Sequence, residues 1–176
     1  MAIDRQDSPY RRGNRYEVMP IPMVTEHCLP VPAGAVSLVV ESRQLTDQIL
    51  TDTYGAGEIP EAEVHFEDFG ASLHVCGADD GLEHLRFDCF ELEPHYHYIE
   101  QQAQANVIVR IDEIAVGDPI DFSLHCVETH LPEMLRNAGA EALAADVEGR
   151  MDEVHAAVAK VRKLMERARR PAEPAR

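Results

Sequence analysis

Residues 93 to 100 read Glu-Pro-His-Tyr-His-Tyr-Ile-Glu, the densest run of chemically capable side chains in the 176-residue chain. In an extended strand, side chains alternate between the two faces. His95 and His97 then leave one face and Tyr96 and Tyr98 the other. Pro94 keeps Glu93 out of the helical region, so Glu93 falls on the histidine face. Two imidazoles and one carboxylate make a ligand set for Fe(II), Mn(II) or Zn(II), with coordination positions left for water or substrate. The candidate metal ligands are therefore His95, His97 and Glu93. Tyr96 and Tyr98 are candidates for stacking a planar ligand or for an interface, since a phenol buries area while keeping a polar handle. Both sets also have plain structural uses: histidines paired with Glu91 or Glu93, and tyrosines closing one edge of a core.

Two local patterns resemble known families. The His-x-His pair with a later glutamate is similar to a cupin metal motif over a few residues. It departs from that motif because Glu100 follows His97 closely and no glycine-rich lead-in precedes His95. Arg86-Phe87-Asp88-Cys89-Phe90 followed by Pro94-His95-Tyr96-His97-Tyr98 resembles an uncharacterised bacterial domain family, which implies no activity.

Other chemistry is poorly represented. There is no Gly-x-Ser-x-Gly elbow and no glycine-rich phosphate loop. Cys28, Cys76, Cys89 and Cys126 contain no Cys-x-x-Cys pair, so they read as reduced, buried apolar residues. Cys89 shares a strand face with Leu85 and Phe87 and belongs with the core. His125, Cys126 and His130 share a short helical stretch, and His65, His74 and His84 occur on neighbouring strands; either group offers further ligands only if the fold brings it near.

The net charge of −16 excludes one large class of partner. From Val18 to Ala159 there are 27 acidic residues against 5 arginines, whereas Lys160 to Arg176 holds 7 basic residues against 2 acidic. So acidic a body repels nucleic acid and anionic membranes. No apolar stretch approaches the roughly 20 residues of a membrane span. The first residues lack the apolar core of a signal peptide, so the expected location is cytoplasmic.

The elements that must hold the 93–100 run suggest an α+β fold. Residues 1–35 carry five of the 11 prolines and form an extended arm against the chain's own sheet or a second subunit. Residues 36–139 form an antiparallel sheet of five or six strands with short helices. Val36–Glu41 begins it, and Ser42 caps a short helix stopped by Gly55 and Gly57. Strands follow at Glu63–Asp68 and Ser72–Gly77, with a hairpin turn at Asp80-Gly81 leading into Leu82–Phe90. Asp118-Pro119 is a helix start, with a stop near His130, a restart at Pro132 and an end at Gly139. Residues 140–170 form one amphipathic helix, roughly 45 Å long at 1.5 Å per residue. Its seam of Val147, Met151, Val154, Val158, Val161, Met165 and Ala168 keeps heptad spacing. Residues 171–176 form a disordered tail.

Two functions follow. One is a non-catalytic accessory or binding protein, working as a homo-oligomer through the arm and the 140–170 helix, or as a small subunit of a larger complex. The other is a small metal-dependent enzyme using His95, His97 and Glu93.

Overall fold

The computed structural model describes residues 12–55 and 67–169. Its centre is one antiparallel sheet of seven strands: β1 (Asn14–Tyr16), β2 (Cys28–Ala33), β3 (Val36–Thr46), β4 (Glu67–Gly77), β5 (Glu83–Phe90), β6 (His95–Glu100) and β7 (Ala105–Arg110). Helices follow: α1 (Asp47–Tyr54) between β3 and β4, then α2 (Glu113–Val116), α3 (Pro119–Asn137), α4 (Glu141–Glu148) and α5 (Met151–Ala168). The α+β architecture with C-terminal helices is as expected, but the strand count is higher. The two extra strands come from the proline-rich segment.

The order β1-β7-β6-β5-β4-β3-β2 explains that segment. Strands β2 to β7 form a meander in which consecutive strands pair, while β1 closes against β7. The described chain therefore enters at one edge, crosses a face of the sheet over residues 17–27, and begins the meander at the opposite edge. Pro30 and Pro32 lie exposed in β2, and an edge strand is where missing amide donors are tolerated. The described part of the arm thus supplies two strands of the chain's own sheet, and residues 1–11 lie outside the described residues.

Alternation along the strands gives two unlike faces. Leu38, Val40, Leu73, Val75, Leu85 and Phe87 point one way and are buried under α3 and α5. Asp118 caps α3 as expected, accepting from the amides of Ile120 and Asp121. The helix does not stop at His130; it runs through Pro132 because Leu131, Met134 and Leu135 prolong its buried stripe. Burial of about 1.5–3 kcal/mol per large apolar side chain outweighs the bond that the proline forfeits. Gly139, at φ +78°, ends the element.

The single helix expected over 140–170 is two, parted at Gly149 and Arg150. Its seam packs inward: Val154, Val158, Val161 and Met165 are buried against β2, β3 and β4 of the same chain. Strand β3 also runs past Ser42 to Thr46, and Thr46 rather than Ser42 caps α1, accepting from the amide of Ile49. Strand β4 is continuous, and Gly81 supplies the positive φ, +70°, of the turn into β5. The strand start expected at Glu63, His65 and the tail beyond Arg169 lie outside the described residues.

Candidate metal centre

The opposite face carries polar residues in the same alternation: Glu41 and Arg43 on β3, Ser72 and His74 on β4, Arg86 and Asp88 on β5, His95 and His97 on β6 and Asn106 on β7. Apart from half-buried His95, all are buried. Such groups must find partners or forfeit several kcal/mol each. Many find them in the crossing segment, whose prolines leave its carbonyls free to accept. Asn106 Nδ2 donates to the Val18 carbonyl at 2.7 Å, Tyr54 Oη to Met19 at 3.1 Å, and Arg43 Nη2 and Arg86 Nη1 both to Ile21 at 2.8 Å.

The two histidines leave this face together, and Tyr96 and Tyr98 leave the other, as the pleat requires. In β5–β6 pairing, Asp88 stands directly opposite His95, with His97 one pleat along. His97 Nε2 lies 3.1 Å from Asp88 Oδ2, and His95 Nε2 lies 3.4 Å from the same oxygen. Among the described residues, Asp88, His95 and His97 form the group able to hold a metal ion, each offering one ligand atom within 4.8 Å of the others.

The carboxylate of the group is not the expected one. Glu93 is exposed, and its carboxylate turns to Arg110 at 3.6 Å. It lies in the loop before β6, so the strand alternation does not reach it. Its backbone carbonyl does contribute, accepting from His95 Nδ1 at 2.7 Å. Asp88 escapes notice in the sequence because cross-strand register is not written there; its signal is the alternation of Arg86 and Asp88 with Leu85, Phe87 and Cys89.

The hydrogen bonds fix which ring nitrogens carry protons. A carbonyl only accepts, so His95 Nδ1 must donate to Glu93. Asn106 uses its amide nitrogen on Val18, so its Oδ1 faces His97 Nδ1 at 2.9 Å and accepts from it. Both rings are thereby held with Nε2 directed at Asp88, the second-shell arrangement that presents histidine to a metal. Ser72 Oγ donates to the other Asp88 oxygen.

Burial works against charge on all three groups, with different outcomes. Desolvation pushes Asp88 up, but the hydrogen bond and charge of His95 outweigh it and hold the carboxyl well below the usual carboxylate range. His95 is raised, since the Asp88 carboxylate overcomes the burial that lowers it. In His97 burial prevails and the value falls. A neutral His97 protonated at Nδ1 sets its Nε2 lone pair against a carboxylate oxygen, an arrangement that a shared cation relieves.

The two nitrogen-to-oxygen separations suit one. Ligands bonded at about 2.1 Å to a common ion lie about 3.0 Å apart at a right angle and about 3.4 Å apart at a tetrahedral angle. A cavity of about 530 Å³ opens onto the three residues, between the sheet, α1 and residues 16–21. Its walls include Pro20, Leu45, Leu50 and Ile108, with Arg43 and Tyr54 as polar groups.

The remaining candidates lie elsewhere. Tyr96 stacks on Phe87 with ring centres 5.6 Å apart and meets Phe122 at 5.9 Å, and Tyr98 is buried under α3, so both serve the helix side. His74 lies between Glu41 and Glu83. His84 is buried at the start of β5. Cys89 contacts Ser123 at 3.3 Å, and burial pushes its thiol up to about 12, far from a nucleophile's range. His125 and His130 stack edge to face at 5.9 Å while Cys126 is buried in the core. No helix among the described residues is long and apolar enough to cross a membrane.

Comparison with curated proteins and with solved structures returned no match. A family model described as Domain of unknown function (DUF7700) matches residues 30–165, a span holding all three residues of the metal-capable group and five of the strands beside them. That match covers well over half of the chain, and the chain belongs to the DUF7700 family.

Proposed function

We propose that this protein holds one divalent cation, Fe(II), Mn(II) or Zn(II), on Asp88 Oδ2, His95 Nε2 and His97 Nε2, and acts as a small metal-dependent enzyme. The observation that carries the reading is the convergence of two Nε2 atoms on one carboxylate oxygen, with both Nδ1 atoms committed to fixed acceptors. Two imidazoles and one carboxylate leave coordination positions open, and here they open onto a cavity of a size that takes a small molecule. A cation there supplies Lewis acidity or an activated water. The chain's own part is to fix the ligands and to hold bulk water off with the crossing segment.

The accessory-protein reading stands second. The described part of the arm pairs in the chain's own sheet and the heptad seam packs on it, so both are already in use. One observation still favours it: Leu92 and Ile114, 68% and 99% exposed, flank the same end of the sheet.

Equilibrium dialysis of tag-free protein against Mn(II) and Zn(II) tests the first reading. About one equivalent is expected for the wild type and none for Asp88→Asn or His97→Ala at the same free metal. Equal uptake by all three proteins sinks it.

A further inference from the structure

Asp68, at the start of β4, is 1% exposed and stands outside the metal-capable group. Its partners are backbone amides. Oδ1 accepts from Phe69 at 2.9 Å and from Leu92 at 3.1 Å, and Oδ2 accepts from Glu93 at 2.9 Å. Leu92 and Glu93 lie in the loop from β5 into β6. The Glu91 amide of that loop donates to the Phe69 carbonyl at 3.0 Å, and Pro94 has no amide to give. Every amide of residues 91–94 is therefore tied to the first residues of β4. The loop carries one group that the metal centre uses, the Glu93 carbonyl, which accepts from His95 Nδ1 at 2.7 Å. Because a proline follows, the Glu93 backbone is restricted to extended conformations, so fixing its amide also fixes where its carbonyl points. His97 is held differently, through Asn106 on β7.

We infer that Asp68 is a positioning residue for His95: it anchors the Glu93 peptide, whose carbonyl holds the His95 ring with Nε2 toward Asp88. The two imidazoles are thus oriented from opposite sides of the site, His95 from β4 and His97 from β7. A carboxylate suits the task because its two oxygens accept all three amides and carry no hydrogen of their own. An asparagine offers one accepting oxygen and turns a donor on the remaining amide. Support of this kind decides whether ligands already stand where a metal requires them. The consequence for metal affinity rests on the proposed reading of Asp88, His95 and His97 as ligands; the placement of the His95 ring does not.

The test is proton–nitrogen NMR of the histidine rings in the metal-free full chain, at one fixed pH, for wild type, Asp68→Asn and Asp68→Ser. Asp68→Asn sets a nitrogen donor against one of the loop amides, and Asp68→Ser leaves a single small acceptor. In each folded variant the Nδ1–H of His95 is expected to exchange with solvent at least about tenfold faster, while that of His97 stays within about twofold. Mn(II) affinity of the same variants, read by dialysis, should fall about 10–100-fold. An unchanged His95 signal in a folded variant, equal loosening of both rings, or unfolding of both variants overturns the proposal, the last two by making Asp68 a support of the fold at large. A wild type that takes up no Mn(II) but shows the change confined to His95 sinks the metal reading and bears out the positioning of the ring.

Discussion

The two faces of this sheet are made by the same strands, residue by residue in alternation, yet they solve burial in opposite ways. One face is aliphatic and aromatic and is covered by α3 and α5, whose contacts are non-directional. The other buries arginines, acids and histidines, and is covered in part by an irregular segment whose carbonyls accept from them. Apolar burial stabilises wherever shapes fit, whereas each buried polar atom demands a particular partner. The first face should thus govern whether the chain folds, and the second what it binds.

The largest expected break is on the helix face. Val161→Asp places an unpaired carboxylate where the side chain is 0% exposed, and should cost about 4 kcal/mol or more, enough to leave much of the protein unfolded. Circular dichroism combined with light scattering checks this. A folded protein of reduced mass would instead assign the seam to a partner subunit.

The matching change on the polar face is Asp88→Asn, which keeps size and shape. It should lower metal affinity by 100-fold or more while unfolding by denaturant shows a smaller loss than Val161→Asp. Next comes Asn106→Ala, which frees the Nδ1–H of His97; outer-shell changes of this kind reduce metal affinity by roughly 10–100-fold. A change below twofold in metal titration would remove Asn106 from the support.

Titration sharpens the contrast further, because the buried acids and histidines lie on the polar face, whereas the helix face buries thiols and a phenol. In metal-free protein His95 and His74 are raised on folding, so the stability they add is present below the unfolded value near 6.5 and is lost as pH rises through their folded values. Glu83, held at about 2, adds stability that persists above its unfolded value and is lost as pH falls toward 2. Denaturant midpoints of metal-free protein should therefore decline above about pH 6.5. Metal affinity should climb over the same window, since binding displaces the His95 proton. The smallest effect belongs to Glu93→Ala, which removes an exposed carboxylate and should leave metal uptake unchanged and stability within about 0.5 kcal/mol.

How far the sequence reaches also divides along the two faces. The pleat alone puts His95 and His97 on one side and Tyr96 and Tyr98 on the other, and the cap at Asp118 and the turn at Gly81 are local chemistry. Asp88 was not legible as a ligand because it meets His95 only through the register of β5 on β6. Glu93 looked correct because it is close in sequence, but the loop before β6 turns it outward. The heptad seam misleads for a related reason. Over a few turns a stripe at period 3.5 is indistinguishable from one at 3.6, and both fit a helix lying on its own sheet. Nor does spacing reveal the break at Gly149, or that the proline-rich segment supplies both edge strands.

The most direct measurement is anomalous diffraction from crystals grown with Mn(II) and recorded near the metal's absorption edge. The account predicts one strong peak among Asp88 Oδ2, His95 Nε2 and His97 Nε2, about 2.1 Å from each nitrogen. Crystals with no peak there, or with the only ordered Mn(II) bound to surface carboxylates, would contradict it.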